Sequence, residues 1–342
     1  MPPVRVTSIE VARLAGVSQA AVSRVFTPGG SASPDVVEKV KKAAAELGYR
    51  PNRLARSLNT GKSRIIGLAI GYLENQFYPG ILQSLSRELQ ASGYHVLVFM
   101  NDGQDDDVDK VVEEILDYQV EGLIAASVGM SSQLGRKAQA GGVPVVLFNR
   151  RQDDGAMSSV TSDNYAGGRK IAEFLVAGGH KRIAHIAGWE EASTQRDREL
   201  GFRDGLAAAG LTLWARASGD FDQTKAVDVA RTMFSGAERP DAVFVANDHM
   251  AFAVMDVLRH ELGLRVPEDV SVVGYDDVPP AAWPSYDLTT VQQNAESMVS
   301  ACVEIILAGI ERHSIEPKHV TIDGPLIVRR SARVPPGWGK IG

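Results

Sequence analysis

One cysteine, Cys302, stands in 342 residues, so no intramolecular disulfide can staple the fold and a reducing compartment is expected. Its neighbours Val299, Val303 and Ile306 mark it as a small buried hydrophobe rather than a nucleophile. No apolar run approaches the roughly 20 residues of a membrane span. No stretch near the N-terminus resembles a signal peptide, which leads to the expectation of a cytoplasmic chain without a membrane partner. Catalytic and cofactor signatures are missing as well. There is no GxxxxGK[ST] and no GxGxxG after a strand. The seven histidines lack metal-ligand spacing; His180 and His185 flank a strand and are expected to make structural hydrogen bonds. Neither an enzyme nor a cofactor or metal is therefore expected.

What is present is unevenly placed. The net charge is −6, yet residues 1–62 hold ten basic and four acidic groups, leaving +6 there and −12 on the remainder. A basic end on an acidic body suits phosphate binding confined to one module. Within it, TSIEVARLAGVSQAAVSRVF (residues 7–26) reads as two short helices around a glycine turn. Thr7 or Ser8 can cap the first helix, and Ile9, Val11, Ala12, Leu14 and Ala15 supply its apolar face. Gly16 stops it, Ser18 caps the second helix, and Ala21, Val22 and Val25 form that helix's buried stripe. The pattern is a helix-turn-helix whose outward residues Gln19, Ala20, Ser23 and Arg24 would face a DNA major groove. Ser33-Pro34-Asp35 opens a third helix with Val36, Val37, Val40, Ala44 and Leu47 inward and Gly48 as its stop. Pro51 and Asn52 then begin a segment, residues 53–58, too short to be a stable helix alone.

From Arg64 onward, apolar runs alternate with helical patterns: 65–70, 95–100, 122–126, 143–148, 183–187, 242–246 and 270–274. Near-continuous apolar strands separated by helices indicate doubly wound parallel sheets, in other words an α/β body. The strands are too many for one comfortable sheet, which suggests two lobes. The terminal Pro335-Pro336-Gly337-Trp338-Gly339 is expected to be irregular and loosely held.

The stretches VARLAGVS, AVSRVF, AAAELGYRPNRLARSL, PDAVFVANDHMA, PEDVSVVGYDD, LTTVQQ and LIVRRS occur in an order that resembles the lactose-repressor (LacI/GalR) family. The resemblance implies an all-α helix-turn-helix domain (1–50), a hinge helix or linker (51–63) and a two-lobed effector domain of the periplasmic-binding-protein type I (64–340). The first lobe would comprise 64–162 and 293–322, and the second 163–291 and 323–336. It further implies DNA contacts from Thr7, Ser18, Gln19, Ala20, Ser23 and Arg24, and from Asn52, Arg53, Ala55, Arg56 and Leu58 of the hinge. Leu58 falls where the family wedges a leucine between base pairs. Ala20 and Ala21 depart from the family pattern, and the Gly-rich loop 27–32 is longer than usual. The implied partners are a palindromic double-stranded operator, a second copy of the chain and a small effector.

In open α/β sheets, ligands bind beyond the carboxyl ends of strands. The residues there are Glu74 to Tyr78, Asn149-Arg150, Trp189 with Thr194, Arg196 and Arg198, Asn247-Asp248, and Tyr275-Asp276-Asp277. Matched to the family, the effector contacts are Phe77, Tyr78, Asn149, Arg150, Arg198, Phe221, Asn247, Asp276 and Gln293. Amides, a carboxylate and arginines can hold vicinal hydroxyls while an aromatic offers a flat face, so a sugar or polyol is the first expectation. Arg150 and Arg198 would also accept a carboxylate or phosphate. The plain alternatives are that Asn247 and Asp248 cap a helix and that Asp276 bonds its own loop. A transport receptor would share the two lobes, but would carry a secretory signal and no basic module.

Overall fold

The computed structural model describes residues 6–27, 29–50, 62–71, 73–100, 108–127, 130–312 and 316–338. The chain divides into two compact units, Met1–Ser63 and Arg64–Gly342. The linker residues Asn52, Arg53, Ala55, Arg56 and Leu58 lie outside the described residues.

The first unit is three helices whose ends are written into local side chains. Helix α1 (Ser8–Ala15) starts at Thr7, which forms a reciprocal capping box with Glu10, and ends at Gly16 in the left-handed conformation. Ser18 caps α2 (Gln19–Phe26), and Ser33 followed by Pro34 opens α3 (Pro34–Leu47). Val11, Ala12, Val22, Val40, Ala43 and Ala44 form the core, with Phe26 and Tyr49 packed at its edge 5.9 Å apart. Ile9 and Leu14, expected on the inward face of α1, are instead about half exposed. An eight-residue helix touching two others can bury only one narrow stripe, and Val11 and Ala12 fill it.

The second unit holds two six-stranded sheets. The first carries β1 (Ile65–Ile70), β2 (His95–Met100), β3 (Gly122–Ala126), β4 (Val145–Phe148), β5 (Ser158–Ser162) and β11 (His319–Ile322), in the order β11-β5-β4-β3-β1-β2 and parallel throughout. The second carries β6 (Ile183–Ala187), β7 (Ala215–Ser218), β8 (Ala242–Val245), β9 (Ser271–Asp276), β10 (Thr289–Gln292) and β12 (Leu326–Ile327). Its order is β12-β10-β9-β8-β6-β7, with only the edge strand β12 antiparallel. Helices α4 (Phe77–Ala91) and α11 (Ala295–Arg312) cover one face of the first sheet through Ile81, Leu85, Leu89, Met298, Cys302 and Ile306. Helices α5 (Val108–Asp117) and α6 (Ser132–Ala140) cover the other. On the second sheet α7 (Asn164–Ala177) and α8 (Ser193–Ala208) lie opposite α9 (Gln223–Phe234) and α10 (Asp248–Asp256).

The chain passes between the sheets after β5, after β10 and after β11, and the crossings are bonded to one another. Asp163 N donates to Ile322 O (2.8 Å) and Gln292 N to Pro325 O (2.9 Å). A Cβ on Gly324 would stand 1.8 Å from Gln292 O, so only glycine lets these two crossings touch.

Two expectations need correction. Residues 335–338 are tied down: Pro335 is buried, and the Trp338 ring meets Phe174 edge-on at 5.3 Å. His185 does make hydrogen bonds, but the buried His180 makes none of ordinary geometry; its Nδ1 lies 3.3 Å from the Asp241 carboxylate.

Candidate functional site

In the first unit, Ser18, Gln19, Ala20, Ser23 and Arg24 are exposed on and before α2, and Thr7 is exposed at the α1 cap. Gln19 Nε2 donates to Ser8 Oγ at 3.0 Å, which sets the orientation of its amide from the neighbouring helix. Thr7 and Ser18 spend their hydroxyls as acceptors from Glu10 N and Ala21 N.

In the second unit, the ends of several strands bend sharply toward one place. Ser127 (φ 59), Asn149 (57), Asp220 (53), Phe221 (60) and Asp276 (123) all have left-handed backbone, although none is glycine. Asn and Asp visit this region easily; a phenylalanine does not, and such residues cost of order 1–3 kcal/mol each. The strained turns aim side chains inward. Asn75, Tyr78, Asn149, Arg150, Thr194, Arg198, Phe221, Asn247 and Asp276 together enclose an inner cavity of about 10 Å³.

Arg198 is placed by helix packing. A Cβ at Gly168 would stand 2.1 Å from Arg198 O, and one at Gly201 2.0 Å from Tyr165 O. The missing side chains let α7 and α8 approach backbone to backbone. Arg198 then reaches Asn164 Oδ1 (Nε, 2.8 Å) and Ala246 O (Nη1, 2.6 Å), lies 3.6 Å over the Tyr275 ring and pairs with Asp276 at 3.5 Å. Asp276 also accepts from Gln293 Nε2 (2.6 Å) and lies 3.4 Å from Asn75 Nδ2. Burial raises the Asp276 carboxyl above its ordinary range, and the Arg198 guanidinium opposes that rise. Asp248, wholly buried beneath it, is raised well above the ordinary range by burial and by Asp276; it accepts from Thr290 Oγ1 (2.7 Å) and Val278 N (3.0 Å). Of the two acids, only Asp276 has a guanidinium paired with it.

From the first lobe, Asn149 Nδ2 donates to Tyr78 Oη (3.2 Å), and Arg150 donates across the cleft to Thr194 Oγ1 (2.7 Å). The Arg150 guanidinium faces the Phe221 ring at 5.7 Å. Buried polar atoms are normally satisfied, yet Asn149 Oδ1, Arg150 Nε and Gln293 Oε1 have no hydrogen-bond partner. A roomier space of about 600 Å³ lies at the cleft mouth, lined among others by Asp109, Ser131, Arg150, Arg151, Trp189 and Arg196. It has a ligand-sized volume, but the strained turns at Asn149, Phe221 and Asp276 and the unpartnered Asn149 Oδ1 and Arg150 Nε lie at the inner cavity, the candidate site. Two sets of ion pairs join the lobes at the rim, Arg151 with Asp197 (2.8 Å) and Arg196 with Asp153 (2.8 Å).

Not every expected contact lines the cavity. Phe77 stands behind Tyr78, edge-on at 5.4 Å, and Gln293 stands behind Asp276 and positions its carboxylate. Asn247 both lines the cavity and caps α10, accepting from Met250 N. Asn75 and Thr194 on the cavity wall, and Ser127 behind Arg150, add to the family-matched contacts. Each lies just beyond a strand or at a helix start, so the rule that located Asn149 also covers them. Among the described residues, no group of three or more His, Cys, Asp or Glu side chains could hold a metal, and no helix is long and apolar enough to cross a membrane.

Residues 9–52 match the family model "bacterial regulatory proteins, lacI family", and residues 172–332 match the model of a periplasmic binding protein-like domain. The chain is 30% identical to the ribose operon repressor of Escherichia coli K12 over 331 residues, 95% of this chain and 99% of that protein. Its fold is similar to that of the Lac repressor dimer bound to operator and the anti-inducer ONPF, with TM-score 0.86, 29% identity and coverage of 96% and 99%. It is also similar to the transcriptional regulator CelR in complex with cellobiose, with TM-score 0.72, 32% identity and coverage of 96% and 100%. With its capped helix-turn-helix unit and its two-lobed α/β unit, the chain belongs to the lacI family of bacterial transcription regulators.

Proposed function

We propose that this regulator is a cytoplasmic homodimer that represses transcription from a palindromic operator and responds to a sugar or sugar derivative bound between its lobes. The observation that carries the effector reading is the convergence of amides, guanidinium groups and the Arg198-paired carboxyl of Asp276 on Phe221 from both lobes. Such groups hold hydroxyls by bidentate hydrogen bonds while the ring packs on the flat face of a pyranose. An inner cavity of about 10 Å³ is close to the size of a single water, so the lobes must part to admit the effector and close around it. Closure would shift the first lobes of a dimer against each other and decide whether the two 53–58 segments can pair as helices on DNA. A difference in effector affinity between the two lobe arrangements of about 1–3 kcal/mol is the usual size of such coupling.

The test has two parts. Selection of duplexes from a random DNA pool by the full chain should yield a palindrome whose half-sites match one reading helix per subunit. A sugar panel should then change the affinity for that duplex, and Leu58→Ala should weaken it by removing the wedge. Recovery of no palindrome would overturn the operator reading. Turnover of a bound sugar by the purified chain would favour an enzyme instead.

A further inference from the structure

Arg150 is the one cleft arginine with no ion pair of its own among the described residues; the nearest carboxylate whose charge it feels, Asp276, is already paired with Arg198. The residue is only 8% exposed. Its three hydrogen bonds all go to neutral oxygens: Asn149 O (Nη1, 2.9 Å), Thr194 Oγ1 (Nη1, 2.7 Å) and Ser127 Oγ (Nη2, 3.2 Å). The carboxylates around it are engaged by other arginines. Asp276 pairs with Arg198, Asp197 with Arg151, and Asp153 with both Arg196 and Arg151. A buried cation held only by neutral oxygens is unfavourable. Proteins normally pair or neutralise such a group.

A guanidinium has five N–H donors. With three engaged, Nε–H and one Nη2 hydrogen remain, and Nε is buried without a partner. Two adjacent donors are what a carboxylate accepts side-on. Beside them, Asn149 Oδ1 is a buried acceptor with no donor, suited to a hydroxyl. The charge balance of the inner cavity, Arg198 against Asp276 with Arg150 left over, is one positive unit.

We propose that the effector is a sugar monocarboxylate, of the aldonic or uronic acid class, whose carboxylate is held by the free edge of Arg150 while its hydroxyls meet Asn149, Asn247 and Asp276. The proposal rests on the effector reading of the cleft given above. One negative charge completes the balance. A phosphate monoester brings nearly two, which would crowd Asp276. A neutral sugar leaves Arg150 unpaired, and an amino sugar adds a second cation beside it.

The experiment uses the full chain and a panel of aldohexoses and pentoses, each with its aldonic acid, uronic acid and terminal phosphate. Binding is measured by calorimetry and read in parallel from the fluorescence of Trp189 at the cleft mouth. A sugar acid should bind at least tenfold more tightly than its neutral parent and than its phosphate. Arg150→Gln should remove that preference, lowering acid affinity by about tenfold to a hundredfold, the loss typical of a hydrogen bond to a charged group. Arg150→Lys, which keeps the charge, should retain part of it. Circular dichroism and urea unfolding without ligand check that both variants fold. A tightest binder that is neutral or phosphorylated overturns the proposal but leaves the cleft reading intact, provided Arg198→Ala abolishes its binding. Unchanged acid affinity in Arg150→Gln overturns it in the same way. Failure of every panel member to bind, or binding that survives Arg198→Ala, overturns the cleft reading as well.

Discussion

His185, at the centre of β6, ties the second sheet to α8, and its protonation should unfasten both. Its Nδ1 donates to Phe244 O (2.9 Å), so Nε2 is free to accept from Gln195 Nε2 (3.1 Å). Gln195 in turn accepts from Gly188 N (2.7 Å) and sits one turn before Arg198 on α8. The ring stacks on Phe244 at 4.6 Å and is wholly buried. Burial lowers its pKa from 6.5 to about 4, Glu199 opposing. The folded chain therefore binds this proton less readily than the unfolded chain. Stability is complete above the unfolded value of 6.5 and is lost as pH falls from there toward about 4. Each unit in that window costs up to about 1.4 kcal/mol, so by about pH 5 the loss from this group is about 2 kcal/mol. With a urea slope of roughly 3 kcal/mol per molar, the midpoint falls by roughly 0.7 M. Glu199 contributes little between pH 6.5 and about 5. Although burial acts the other way, Arg216 and His185 hold its carboxyl at about 2, so its share is lost only below its ordinary 4.5. His180 and His249 are also lowered by burial, so the wild-type curve alone does not isolate one residue. The assay is urea unfolding of wild type and His185→Gln across this pH range. Glutamine cannot take the proton, so whatever it does to absolute stability, the difference curve should carry the slope. Parallel curves for the two proteins would refute the reasoning.

Three further outcomes follow from the geometry. Gly201→Ala places a methyl 2.0 Å from Tyr165 O; forcing α7 and α8 apart should destabilise the chain by at least about 1–3 kcal/mol and weaken effector binding through Arg198, measured by urea unfolding and calorimetry. Thr7→Ala removes the capping box with Glu10 and should cost the N-terminal unit about 1 kcal/mol, seen as a lower melting temperature and weaker operator binding. Asp153→Asn with Asp197→Asn breaks the rim ion pairs. Partly exposed pairs contribute about 0–1 kcal/mol each, so effector affinity should fall only a few-fold, and high salt should shrink the difference.

The helix-turn-helix was legible because its punctuation is local: Thr7, Gly16, Ser18, Ser33 and Gly48 act on backbone within a few residues. Burial on α1 was less so, since Ile9 and Leu14 share the apolar pattern yet are left about half exposed by the described residues. The strand β5, sequence SSVTS, escaped the apolar-run rule because its buried hydroxyls are satisfied by tertiary partners. Ser158 Oγ accepts from Lys318 N, and Ser159 and Ser162 meet His319 and Tyr275. In the cleft, the strand-end rule and the family motifs found Asn149, Arg198 and Asp276. They did not separate Tyr78, on the cavity wall, from Phe77, behind it. That choice depends on how α4 is rotated, and only packing sets the rotation.

The three crossings that join the lobes lie side by side and are laced together, with Lys170 reaching over to Asp323 and the Gly324 carbonyl. A single connecting strand would let two bodies swivel freely, whereas a braided strap of three resists torsion and shear and yields chiefly by folding along one line. Whatever enters between the halves can therefore move them along little more than one coordinate. A signal confined to one coordinate reaches the far end of the molecule without being dissipated in sideways motion.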